Sequence, residues 1–70
     1  MKVYFQPETG PVRELLLPDR PGVSLHALLI EAGLEVPPYY AVLVNGSLRS
    51  VQAVVDPDAT VEIFPPLSGG

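Results

Sequence analysis

His26 is the only histidine of the chain and there is no cysteine. A metal centre needs several convergent ligands, so one imidazole without thiolate partners points to no metal site. The missing cysteines also remove a disulfide framework and a thiol nucleophile. His26 falls two residues into a helical pattern, on the side expected to face solvent. Asp56 and Asp58 are spaced like a general acid and base, but they flank Pro57 in a polar stretch. Aspartate is favoured in turns because its carboxylate bonds the local backbone, and a turn is the expectation. Glu31 and Glu35 stand four apart around Gly33, with nothing to confine them, and read as a solvated acidic edge. Tyr39 and Tyr40 follow Pro37-Pro38; they are partner anchors or seals on the edge of a small core, and the core reading is expected.

The remaining candidate is the segment Phe64-Pro65-Pro66-Leu67-Ser68-Gly69-Gly70. Pro65-Pro66 should hold a stiff, extended exit from the last strand. Gly69-Gly70 has no side chains and can thread a channel too narrow for any Cβ. At roughly 3.3 Å per residue, Pro65 to Gly70 could reach about 20 Å. The reactive group would be the Gly70 carboxylate. A frayed tail is the blander reading of the same residues.

The elements that would carry this tail can be read from pattern. Val3-Tyr4-Phe5 and Val12 to Leu17 are apolar runs split by Gln6 to Pro11, which predicts a hairpin. Pro18 to Gly22 should end it. Leu25, Leu28, Leu29 and Ala32 then fall at i, i+3, i+4 and i+7, one face of an amphipathic helix. Ser24 is its expected N-cap, with Val23 stapling onto Leu28. Gly33 supplies the stop, with Leu34 placed for the accompanying apolar contact. Tyr40 to Val44 predicts a third strand turning at Asn45-Gly46, and a short strand is possible around Leu48 to Ser50. Thr60 to Phe64 makes the last strand, with Val61 and Ile63 inward. One helix on one face of a mixed sheet of four to five strands is an α+β, two-layer domain. It spans 1–64, with 65–70 as a flexible tail.

At 70 residues the chain is one small domain, too small to build the deep pocket that most small-molecule enzymes use. With 47% hydrophobic residues it can still form a core. A net charge of -4 opposes direct contact with nucleic-acid phosphates. No apolar run approaches the roughly 18 residues of a membrane span, and Met1-Lys2 opens no charged-then-apolar signal segment. The expectation is a soluble, cytoplasmic protein.

Val44-Asn45-Gly46 together with Thr60 to Gly70 resembles the β-grasp, ubiquitin-like sulfur carriers. Phe64-Pro65-Pro66 followed by Gly69-Gly70 is similar to the small subunit of molybdopterin synthase. The front differs: those subunits carry a longer segment after the first strand, with a Phe-Ala and an Arg-Glu. Here Tyr4-Phe5-Gln6-Pro7 enters a short turn, more like carriers for the thiamin thiazole or for transfer-RNA thiolation.

The resemblance implies a β-grasp fold and a carrier that is a substrate rather than a catalyst. An adenylating, E1-like partner would use ATP to activate Gly70, and sulfur would displace AMP to leave a Gly70 thiocarboxylate. The carrier would bind no cofactor itself, and sulfur would ride covalently on Gly70. Gly69 would thread the partner's active site, and Phe64, Pro65, Pro66, Leu67 and Ser68 would dock the tail. The sulfur acceptor would be a catalytic partner such as the large subunit of molybdopterin synthase, with molybdenum cofactor synthesis the first expectation. Thiamin thiazole synthesis, transfer-RNA thiolation and a ubiquitin-like protein modifier are the alternatives, and a plain β-grasp binding module is a further one. The free carrier would be a monomer with no nucleic-acid or membrane partner.

Overall fold

The computed structural model describes residues 1–66. Strands β1 (Lys2–Phe5) and β2 (Arg13–Leu16) precede helix α1 (Leu25–Glu31), and β3 (Ala41–Val44), β4 (Ser47–Leu48) and β5 (Thr60–Phe64) follow it. The five strands form one sheet in the order β2-β1-β5-β3-β4. β5, last in sequence, is therefore central in space. It runs parallel to β1, with Val3 opposite Val61 and Phe5 opposite Ile63. It runs antiparallel to β3, with Val42 opposite Ile63 and Ala41 opposite Phe64.

Alternation along the strands puts one set of side chains under the helix. Val3, Phe5, Val42, Val61 and Ile63 are buried with Leu25, Leu28 and Leu29 of α1. Ser24 caps the helix, its Oγ accepting from the Ala27 amide at 3.2 Å. The Leu25 and His26 amides donate to the carbonyls of Ala53 and Val51. The free donors of the first turn are thus satisfied within the protein. At the other end Gly33 has φ +79°, its amide bonds the Ile30 carbonyl, and the Leu34 amide bonds that of Leu29. This is the Schellman arrangement, with buried Leu34 making its apolar contact.

The helix is shorter than the apolar spacing suggests. Ala32 is the C-cap and is exposed, because the left-handed Gly33 turns the chain before a further position can face the core. β2 begins at Arg13 and leaves Val12 exposed, while Leu17 is buried just after the strand. β3 starts at Ala41 and β4 covers only Ser47–Leu48, short of Ser50. Asn45 and Gly46 take φ 50° and 83°, the geometry of a two-residue hairpin turn with positive φ at both positions.

Residues 49–59 form no strand within the sheet, yet Val55 and Ala59 are in the core. Asp56 accepts from the Asp58 amide at 2.9 Å through its carboxylate. Among the described residues no helix is long and apolar enough to cross a membrane.

Candidate functional site

The most chemically distinctive sequence leaves the sheet at the end of β5, so the site is built outward from that point. Val61 and Ile63 point inward and are fully or almost fully buried. Glu62 points the other way and is exposed, and Phe64 is half-buried on that same face. Pro65 is half-buried and Pro66 exposed. Leu67, Ser68, Gly69 and Gly70 lie outside the described residues.

The helix-free face of the sheet follows from the pairing register. Glu14 stands opposite Tyr4, Tyr4 opposite Glu62, Glu62 opposite Leu43 and Leu43 opposite Leu48. One transverse row therefore carries two aliphatic side chains, an aromatic ring and two carboxylates, with Glu62 at its centre. Leu48 is 74% exposed and Leu16, on the same face, 81% exposed. Lys2 reaches the Glu14 carboxylate at 3.7 Å; Glu62 has no ion-pair partner among the described residues. Near the end of β5 a hollow of about 310 Å³ is lined by Tyr4, Gln6, Val12, Glu62 and Phe64. It adjoins the root of the tail. Another hollow of about 360 Å³, lined in part by Met1, Arg20, Val54 and Pro57, sits at the opposite end of β1 and β5, away from the tail.

The loops on either side of the tail root are joined. The Gln6 amide donates to the Ile63 carbonyl at 2.8 Å, which extends the β1–β5 pairing by one step. Gln6 Nε2 donates to the Pro7 carbonyl at 3.0 Å. The phenol of Tyr39, just before β3, donates to Glu8 Oε1 at 2.6 Å. That bond holds the Tyr39 phenol above its ordinary value of 10.0. Ionisation would break the bond and place a second anion beside the carboxylate. Phe5 and Tyr40 stack at 5.7 Å between centroids, and Tyr39 lies against Tyr40 at 5.3 Å.

The other candidate residues separate cleanly. His26 is exposed, as its helical position predicts. Glu31 pairs with Arg20 across exposed surface, while Glu35 is exposed. No group of three or more histidine, aspartate or glutamate side chains among the described residues could hold a metal ion. The tyrosine pair divides: Tyr40 packs on the core, whereas Tyr39 is 55% exposed, so the core reading holds for only one of them. The proline turn before β3 reverses the chain there, with the Tyr40 amide bonded to the Pro37 carbonyl. Strand alternation does not extend through that turn. Pattern reading also missed Glu8, an unremarkable turn carboxylate whose partner is far away in sequence.

Neither the curated proteins nor the solved structures give a match. The family model of the ThiS family matches residues 4–70, which includes the tail and all of the sheet except Lys2 and Val3 of β1. A mixed five-stranded sheet with β5 at its centre and one packed helix is the ubiquitin-like β-grasp arrangement of these proteins. Members of this family are small sulfur carriers rather than catalysts, working with an activating enzyme and a sulfur-accepting partner. By fold and by family match over nearly its whole length, the chain belongs to the ThiS family.

Proposed function

We propose that this protein carries sulfur as a thiocarboxylate on Gly70 and delivers it to a pterin precursor in molybdenum cofactor synthesis. The observation that supports this most is the placement of Phe64-Pro65-Pro66 at the end of the central strand, with Gly69-Gly70 beyond it. A carboxylate is a poor acyl donor because its leaving group would be oxide. An adenylating enzyme solves this by letting a Gly70 carboxylate oxygen attack the α-phosphorus of ATP, with pyrophosphate leaving. A sulfur nucleophile then attacks the acyl carbon and AMP leaves, two easier steps in place of one. In this reading Gly69 passes through the narrow part of the partner's site, and Leu67 and Ser68 lie in its channel. Pro65 and Pro66 aim the tail, while Phe64 docks with Tyr4, Leu43 and Leu48 of the open face. The Glu62 carboxylate, which has no ion-pair partner among the described residues, suits a basic group on the partner. The protein holds no cofactor of its own and works in the cytoplasm.

One observation favours a second recipient. The β1–β2 connection is a short turn tied down by Gln6, which supports sulfur delivery to the thiamin thiazole or to transfer RNA.

The test is the intact mass of the protein after incubation with ATP, a sulfur donor and extract of its own cells, with the thiocarboxylate trapped. An oxygen-to-sulfur shift confined to the peptide ending in Gly70 is expected. High-mass adducts on other proteins would favour a modifier instead. Unmodified protein in an active extract would favour a plain binding module.

A further inference from the structure

β5 lies between β1 and β3, so the loop after β1 and the loop before β3 flank the point where the chain leaves the sheet. Neighbouring strands are about 4.8 Å apart, which puts β1 and β3 about 10 Å apart across β5. Phe5 of β1 and Tyr40 before β3 nevertheless stack with centroids 5.7 Å apart and planes within 10°. Both side chains belong to the core side of the sheet, so their rings lean toward each other over the end of β5. One step beyond the Ala41–Phe64 pair, Tyr40 stands level with Pro65.

The contacts then continue from Tyr40 to Tyr39 and from the Tyr39 phenol to Glu8. Glu8 returns to β1 through the turn that Gln6 pins to Pro7 and to the Ile63 carbonyl. The result is a closed loop of contacts beside the tail root, and its Phe5–Tyr40 part lies on the helix side. On the opposite side no comparable contact stands among the described residues: the hollow of Tyr4, Gln6, Val12, Glu62 and Phe64 is open there.

We propose that the Glu8–Tyr39 bond, with the Phe5–Tyr40 stack, is a strap that bars the helix side of the tail root and directs Pro65-Pro66 toward the open face. Glu8 and Tyr39 are then positioning residues. They touch no reacting atom, but they bring the tail and the open face to a partner as one surface. The inference rests on the sulfur-carrier reading only for what the tail does; where Pro65-Pro66 point can be measured without any partner.

The chain has no cysteine, so Pro66→Cys gives a single site for a nitroxide label. With the strap intact, paramagnetic broadening should be stronger at the Tyr4 ring and Leu43 methyls, which face the open side, than at the Val36 and Val42 methyls of the helix side. Tyr39→Phe and Glu8→Ala, each made in the labelled protein, should remove that preference. Glu8→Gln keeps an acceptor for the phenol and should preserve it. The double variant should match either single one, because both cut the same bond. Unchanged broadening in Tyr39→Phe, or equal broadening on both sides with the strap intact, would overturn the proposal. So would a double variant whose effect is the sum of the two. A normal strap result with no Gly70 thiocarboxylate in the mass experiment would instead overturn only the carrier reading.

Discussion

At the scale of single residues, Tyr39 makes the most specific contact that the sequence does not announce. Its phenol donates to Glu8, and the other titratable group against it is Tyr40. The raised phenol value arises first from that hydrogen bond, then from desolvation and from the Glu8 and Tyr40 charges. The neutral phenol is the donor, so its folded-state value lies above the unfolded one. The contribution of the bond is therefore fully present below the unfolded value near 10.0 and lost as pH rises through the folded value. Ultraviolet titration of the tyrosines should show one phenol ionising later than an unperturbed one, and Glu8→Ala, which removes both the acceptor and the charge, should bring it back toward the ordinary range. Unchanged titration in Glu8→Ala would show that Glu8 is not the cause. The glycines act differently. Gly69→Ala and Gly70→Ala should leave the melting temperature nearly unchanged, since terminal positions carry few contacts. They should sharply reduce thiocarboxylate formation if the partner's channel excludes a Cβ. Full thiocarboxylate yield from the double variant would remove the threading argument.

At the scale of elements, the short helix depends on its ends and on one buried face. Ser24→Ala removes the acceptor for the Ala27 amide and should cost about 1 kcal/mol. Gly33→Ala meets no atom within 4 Å, but it forces a Cβ into a left-handed backbone at φ +79°, and should cost about 1–2 kcal/mol. Leu29→Ala, at 1% exposure, should cost more, about 2–5 kcal/mol. Urea denaturation of the three variants checks both the order and the sizes. The caps were legible because each depends on residues within one turn of the helix. The pairing of the Leu25 and His26 amides with Ala53 and Val51 was not, because the 49–59 segment has no periodicity and finds its place only against the finished helix. Edge strand β2 is bounded by Pro11 and Pro18, residues that cannot donate to a further strand and so limit its extension.

At the scale of the whole molecule, the two faces of the sheet divide the work. One face closes over α1; the other displays Tyr4, Leu43, Leu48 and Glu62 in one row near the tail root, with Leu16 at the far end of β1. Leu48→Asp alters a side chain that is 74% exposed, so stability should move by no more than about 0.5 kcal/mol. If the activating partner adenylates Gly70 as proposed, that reaction should show a raised KM with kcat little changed, the pattern of lost docking rather than lost chemistry. Steady-state pyrophosphate release against carrier concentration measures both, and an unchanged KM would remove Leu48 from the docking surface.

Element order, the helix caps, the Asn45-Gly46 turn and the inward pair Val61 and Ile63 were determined by the sequence alone. Each rests on local backbone preference or on a period that survives without its partners. Tertiary structure decided what depends on residues far apart in the chain. It placed β5 between β1 and β3, so that the tail leaves from the middle of the sheet. It also sent Tyr40 to the core and Tyr39 to the surface, and brought Glu8 within 2.6 Å of a phenol 31 positions away. Side-chain pairs of that kind form only after the strands have paired, because chain closure over such distances must be met by the packing of the whole sheet.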